Sequence, residues 1–163
     1  MWGYRENEGI AVMAAEQSID ELIAALERSV EDGLAHFRRL EAESKIEMGK
    51  RGPRETLCHL VWWHQVSAEG MESVAAGGAP YCIYASTNEM NARAVGRAAG
   101  QTVTQLADRV QQWQTRLVAA ARALPDPQAA VFVHGNGSKD TALQRLEAII
   151  QRWNACIEEL QAV

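Results

Sequence analysis

Apolar residues recur at helical spacing through most of this chain. Ile19, Leu22, Ile23, Leu26, Val30, Phe37 and Leu40 mark the first stripe, within "SIDELIAALERSVEDGLAHFRRLEAES". Steps of three and four residues put them on one face, which predicts an amphipathic helix. Ser18 and Glu21 have the spacing of a capping box and set its expected start. Gly33 weakens its middle slightly. Residues 1–17 lack this period and read as a loose tail, leaving 18–163 as one domain. Pro53 suits a first helical position, and a second helix is expected from there to about Ala76, where "AAGGAPYC" stops it. The next long stripe is Val103, Leu106, Val110, Trp113, Leu117, Ala121 and Leu124, opened by the Thr102/Gln105 pair and closed by "PDPQ". A last helix is expected from about Asp140, with Leu143, Leu146, Ile149, Ile150, Trp153, Ile157 and Leu160 facing inward.

The segments between the stripes set the topology. "ESKIEMGKRG" is a short connection that favours antiparallel neighbours. The next link runs about 25 residues, longer than a tight turn needs, and carries a shorter helix opened by Ser86 and Glu89. Such a link lets the chain return to its starting end. "AAVFVHGNGS" reads as a loop with at most a brief extended piece. The expected fold is therefore all-α: a four-helix bundle of up-down-down-up order, with a long crossover between its second and third members.

Composition narrows the function classes. The 163 residues are 47% hydrophobic and 23% charged, normal for one globular domain. A net charge of -5, with both signs interspersed, disfavours nucleic acid as a partner. No apolar run approaches the roughly 18 residues of a membrane span. "MWGYRENEGIAV" lacks the apolar centre of a signal peptide, so a cytoplasmic protein is the expectation. Cys58, Cys82 and Cys156 are odd in number and far apart, which disfavours a disulfide framework.

The chemistry-bearing residues crowd into "RETLCHLVWWHQVSAEGM", residues 54–71. At roughly 100° per residue, Leu57, Leu60, Val61, Ala68, Met71 and Ala75 share an arc, and His64 falls near its middle. His59 lies about 160° away, beside Val66 and Trp62, so the two histidines do not share a face. His64 is expected to project into the bundle, either as a hydrogen-bonded core residue or as a ligand or base in a polar pocket. Trp62 and Trp63 read first as packing residues, one of them able to line a pocket. Cys156 lies four residues after Arg152, at the edge of the last stripe. A nearby guanidinium favours the nucleophilic thiolate, which makes His64, Arg152 and Cys156 the candidate catalytic set. "HGNGSKDT" lacks the spacing of a phosphate loop, and Gly135 and Gly137 read as a turn. Tyr81, Ile83 and Tyr84 either cap one end of the bundle or form a homodimer contact.

"RETLCHLVWWH" resembles the second helix of the DinB/YfiT-like superfamily, where R-[DE]-x-L-x-H-L followed by aromatic residues is common. Asn91-Ala92-Arg93 and "ARALPDP" resemble the branch that contains the mycothiol-dependent maleylpyruvate isomerases. The resemblance spans about Ser18 to Leu160 and implies the same up-down-down-up bundle. It also implies a divalent metal, zinc or nickel, held by one histidine of the second helix and an H-x-x-x-H of the last. His64 matches the first of these, five residues after the first histidine of the motif. Arg152 and Cys156 stand where the H-x-x-x-H would be, so His64 and Cys156 remain as metal-ligand candidates, with His134 nearby in sequence to complete them. Three readings follow. One is a thiol-dependent transferase or isomerase acting on a small electrophile, with Arg152 holding an anionic group. The second is a bundle that binds a small molecule without metal. The third is an interaction module.

Overall fold

In the computed structural model, residues 4–43 and 52–162 are described, with side chains at 19–40 and 52–162. The elements run α1 (Tyr4–Glu43), α2 (Pro53–Ala75), β1 (Tyr81–Cys82), α3 (Thr87–Arg97), α4 (Val103–Ala123), β2 (Ala130–Val133), β3 (Lys139–Thr141) and α5 (Ala142–Gln161). The expected link between the first two helices falls on residues 44–51, outside the described residues. α1 begins at Tyr4, well before Ser18, so the stretch expected as a loose tail is helical from residue 4 and the Ser18/Glu21 spacing marks no helix start.

Where helices do start, the sequence chemistry explains it. Ser86 and Thr102 each accept a hydrogen bond from the backbone N–H three residues on, and Glu89 and Gln105 each reach back to the cap. These reciprocal bonds satisfy donors that a helix start leaves orphaned. Thr141 and Gln144 form a third such box, which starts α5 at Ala142 rather than near Asp140.

Side-chain pairs fix the helix directions. Arg54 at the start of α2 bonds the carbonyls of Ala98 and Gln101, just before α4, while Glu72 near its end pairs with Arg116 at 2.6 Å. α2 and α4 therefore run parallel. Arg38 pairs with Asp108 and Arg122 with Asp20, so α1 is antiparallel to α4. Trp153 meets His64 and Arg145 meets Ser67, so α5 is antiparallel to α2.

The expectation of a purely helical bundle is corrected by a three-stranded mixed sheet of order β1-β2-β3. β1 pairs with β2 in parallel, Tyr81 opposite Phe132, and β2 pairs with β3 antiparallel, Phe132 opposite Asp140. The segment expected as a loop is thus the centre of the sheet. Its pattern hid it: the register shifts between Ala130 and Phe132, leaving Val131 as an extra residue. That bulge buries Val131 and Phe132 in succession and erases the alternation that marks a strand. Gly137, at φ 86°, makes the turn into β3.

The sheet and α3 cover the side of α2 that faces away from the bundle. α2 is consequently buried nearly all round, with His59 enclosed as well as His64. Two glycines permit this close packing. A methyl group on Gly70 would collide with the carbonyl of Val131, and one on Gly33 with the ring of Trp153. Gly33 is thus a contact point of α1 with α5 more than a weak spot in a helix. No helix among the described residues is long and apolar enough to cross a membrane.

Candidate functional site at the hairpin end of the bundle

His64 projects inward, as its helical position predicts, and is wholly buried. The indole N–H of Trp153 donates to its Nε2 at 2.8 Å. Nε2 is thereby the acceptor, so the neutral ring carries its proton on Nδ1. Nδ1 has no partner among the described residues. Burial pulls the pKa from its ordinary 6.5 to about 3, because the dry interior disfavours the cation. Phe37 meets the Trp153 ring edge-on at 6.2 Å, completing an aromatic wall. This histidine is a neutral packing residue with one good hydrogen bond.

Cys156 is buried, and its thiol is pushed up to about 11, chiefly by burial and then by Glu159; Arg152 opposes the rise without reversing it. A thiol so placed stays protonated at neutral pH and is a poor nucleophile. Arg152 lies on the surface with its guanidinium 4.3 Å from the centre of the Trp63 ring. The three residues expected to act together therefore occupy different settings: His64 belongs to the aromatic core, Cys156 is an inert buried thiol, and Arg152 stacks on Trp63.

A divalent metal of the kind the resemblance implies does not fit these donors. One imidazole nitrogen already accepts an indole N–H, the thiol holds its proton, and the third position is a cation. No group of three or more His, Cys, Asp or Glu side chains suited to a metal occurs among the described residues.

A different cluster forms where the hairpin meets α2 and α5. Arg145, one turn into α5, is almost fully buried. Its guanidinium lies 4.2 Å from the Phe132 ring centre and 5.0 Å from that of Trp63. Nη1 donates to Asp140 at 3.1 Å, and Nε and Nη2 both approach the Ser67 hydroxyl at 3.4 Å. Burial lowers the guanidinium pKa, and the bond and charge of Asp140 oppose that. An arginine nonetheless remains charged at neutral pH. An enclosed cation needs such a partner, because an unpaired buried charge is costly.

Asp140 also pairs with His134, whose Nε2 lies 2.8 Å from the same oxygen, Oδ2, that Arg145 holds. His134 follows β2, and its ring meets Phe132 edge-on at 5.1 Å. One third of the His134 side chain is exposed, against 19% for Asp140 and 4% for Arg145. The network thus runs from the core outward as Ser67, Arg145, Asp140 and His134. Tyr81 stacks on Phe132 from β1 and is half-buried, as is Ile83, so these two cap this end, while Tyr84 is exposed.

Sequence reasoning singled out His134, Trp63 and Arg152 individually but missed Ser67, Asp140 and Arg145. A signal was present. Thr141 and Gln144 have capping spacing, which places Asp140 just outside the helix. A turn across "HGNGS" then brings His134 and Asp140 side by side.

The chain matches no family model and no curated protein. Its fold is similar to that in a crystal structure of an uncharacterized protein from Clostridium difficile 630, with a TM-score of 0.70 and 14% identity over 88% of this chain and 94% of that one, a likeness of fold alone.

Proposed function

We propose that the protein binds a small organic molecule bearing an anionic group at the hairpin end of the bundle. The observation that carries this reading is the convergence of two guanidinium groups on Trp63. Arg145 is fixed beneath by Asp140 and Ser67, and Arg152 lies toward the surface. The cluster brings two permanent cations to one indole ring in a chain of net charge -5. Arginine suits carboxylates because its fork of donors matches their two oxygens. Tyr81, half-buried where it stacks on Phe132, supplies an aromatic edge for the rest of the ligand.

This reading keeps the small-molecule partner that the DinB-like resemblance implies, and the anion-binding part for Arg152. It leaves aside the metal and thiol chemistry through His64 and Cys156, whose protonation states oppose it. Titration calorimetry with benzoate and succinate tests it. Saturable binding is expected, weakened about tenfold or more in Arg152→Gln and unchanged in Cys156→Ser. Binding that ignores Arg152, or none to either acid, overturns the reading.

A second reading rests on Tyr84, which is 57% exposed and carries the Arg93 guanidinium over its ring at 5.2 Å. An exposed aromatic with a stacked cation suits a contact between two copies of the chain. Sedimentation of the wild-type chain and Tyr84→Ser tests for a homodimer that the substitution dissociates.

A further inference from the structure

We infer that His134 is a general base that activates water against an activated ester of a small carboxylic acid, with Asp140 as its positioning residue. The inference rests on the binding reading above, since the same cluster would hold the acid's free carboxylate.

The geometry carries it in three steps. First, Asp140 takes the Nε2 side of the imidazole at 2.8 Å. A carboxylate there fixes the proton on Nε2 and turns Nδ1 into the lone-pair nitrogen. No partner holds Nδ1 among the described residues, and the side chain is one-third exposed, so water reaches this ring. Second, Asp140 is itself held. Its Oδ2 accepts from Arg145, whose guanidinium is locked between Phe132 and Trp63 and bonded to Ser67. A carboxylate braced by a buried guanidinium is held in its aim at the imidazole, which orients the ring for proton transfer. Third, the Trp63 ring on which Arg145 stacks also carries Arg152, so a second guanidinium is held against the same indole as the one that braces Asp140.

The turn and the buried charge each have partners other than the imidazole. His134 follows the last residue of β2, and its backbone already closes the turn through Ser138 and Gly137. The buried charge of Arg145 is balanced by Asp140 without an imidazole.

The chemical step is hydrolysis. His134 Nδ1 takes a proton from water as the water oxygen bonds to the acyl carbon. The carbonyl pair moves to oxygen and then returns. The bond from carbon to the leaving oxygen breaks with its electron pair, and His134 gives its proton to that oxygen. Ester and water become acid and alcohol, with no net change at the imidazole.

The mono-para-nitrophenyl ester of succinic acid is a suitable probe, followed by release of para-nitrophenol, with succinate affinity measured separately. The whole chain should hydrolyse it faster than buffer. His134→Gln should lower kcat/KM about a hundredfold, to background. Asp140→Asn should lower kcat about tenfold or more, per folded molecule counted by circular dichroism, while KM stays within about twofold; a fall that only tracks the folded fraction would make Asp140 a structural residue and overturn its positioning role. Wild-type rates equal to buffer, or His134→Gln retaining the wild-type rate, overturn the inference. If succinate binds through Arg152 and no turnover occurs, the binding reading survives and this one falls. If His134-dependent turnover occurs without succinate binding, the reverse holds.

Discussion

His64 and His134 each lie beside an aromatic ring and each make one hydrogen bond near 2.8 Å, but their partners differ in kind. The core histidine accepts from an indole N–H, a partner that satisfies the neutral ring and would repel its cation. The hairpin histidine faces a carboxylate, a charged partner on the Nε2 side of its ring. The first sits in the packed interior with a pKa near 3, and the second reaches solvent. A histidine's placement on the inward stripe of a helix therefore says where it is and not what it does. What decides is whether its partner is a dipole or a charge, and whether water reaches the ring.

The strongest way to break this contrast is to remove the partner of the core histidine. Trp153 is fully buried and touches Phe37, Gly33 and His64. Trp153→Ala should cost about 3–5 kcal/mol from lost packing and the cavity left behind. It also orphans Nε2 of His64. Denaturant unfolding of the two chains measures this, and a loss under about 1 kcal/mol would mean that α5 does not seal the core as described.

Acid gives the next largest effect and separates the two rings directly. The folded-state pKa of His64 is depressed to about 3, and its unfolded value is near 6.5. Between these values the unfolded chain binds a proton that the folded chain refuses. Stability is therefore fully present above about pH 6.5 and falls with acid by up to about tenfold in the unfolding equilibrium per pH unit, levelling off below about pH 3. Unfolding curves from pH 7 to 4 should show this slope. His64→Leu should lower stability at pH 7, since it leaves the Trp153 N–H unpaired, yet flatten the acid dependence. An unchanged slope would remove His64 from the core picture.

Arg145 comes third. Arg145→Met keeps much of the apolar bulk between Phe132 and Trp63 but takes the cation from Asp140. Asp140 retains His134 and some contact with water, so the cost should be about 2 kcal/mol, short of that for a fully buried broken pair. The same variant should weaken carboxylate binding. Intact binding with lost stability would mark the network as a structural clamp only.

How much of this was legible in the sequence follows from the period of each segment. The long stripes located α2, α4 and α5 to within a few residues, because three or four turns of apolar spacing admit few other readings. Capping pairs placed the start of α3 and α4, and the inward direction of His64 followed from Leu57, Leu60 and Val61. β2 was hidden because four residues with a bulge carry neither period. Residues 4–17 were missed because a helix without an apolar stripe leaves no period to read. The site was least legible. Arg145 lies four residues before Ile149, at the edge of the inward stripe of α5, and a charged residue at such an edge reads as reaching out to solvent. It is buried only because the hairpin folds over it, which depends on contacts between β2, β3 and α2 that are distant in sequence.

The smallest expected effect on stability carries the most about function. His134→Gln replaces a partly exposed ring and can keep a hydrogen bond to Asp140 through its amide. Pairs of this exposure contribute little, so the cost should be below about 1 kcal/mol by denaturant unfolding. Arg145 still balances Asp140, and the turn's backbone bonds do not involve the ring. If unfolding instead shows a loss of several kcal/mol, His134 closes the hairpin onto α5 as a structural fastener. A near-neutral substitution means the contrary. The chain then maintains a carboxylate-held imidazole at its surface, braced by a buried arginine, at a position where folding gains almost nothing from it. The His134–Asp140 pair would then differ from the His64–Trp153 pair in purpose as well as in setting, the inner pair serving the core and the outer one the ligand.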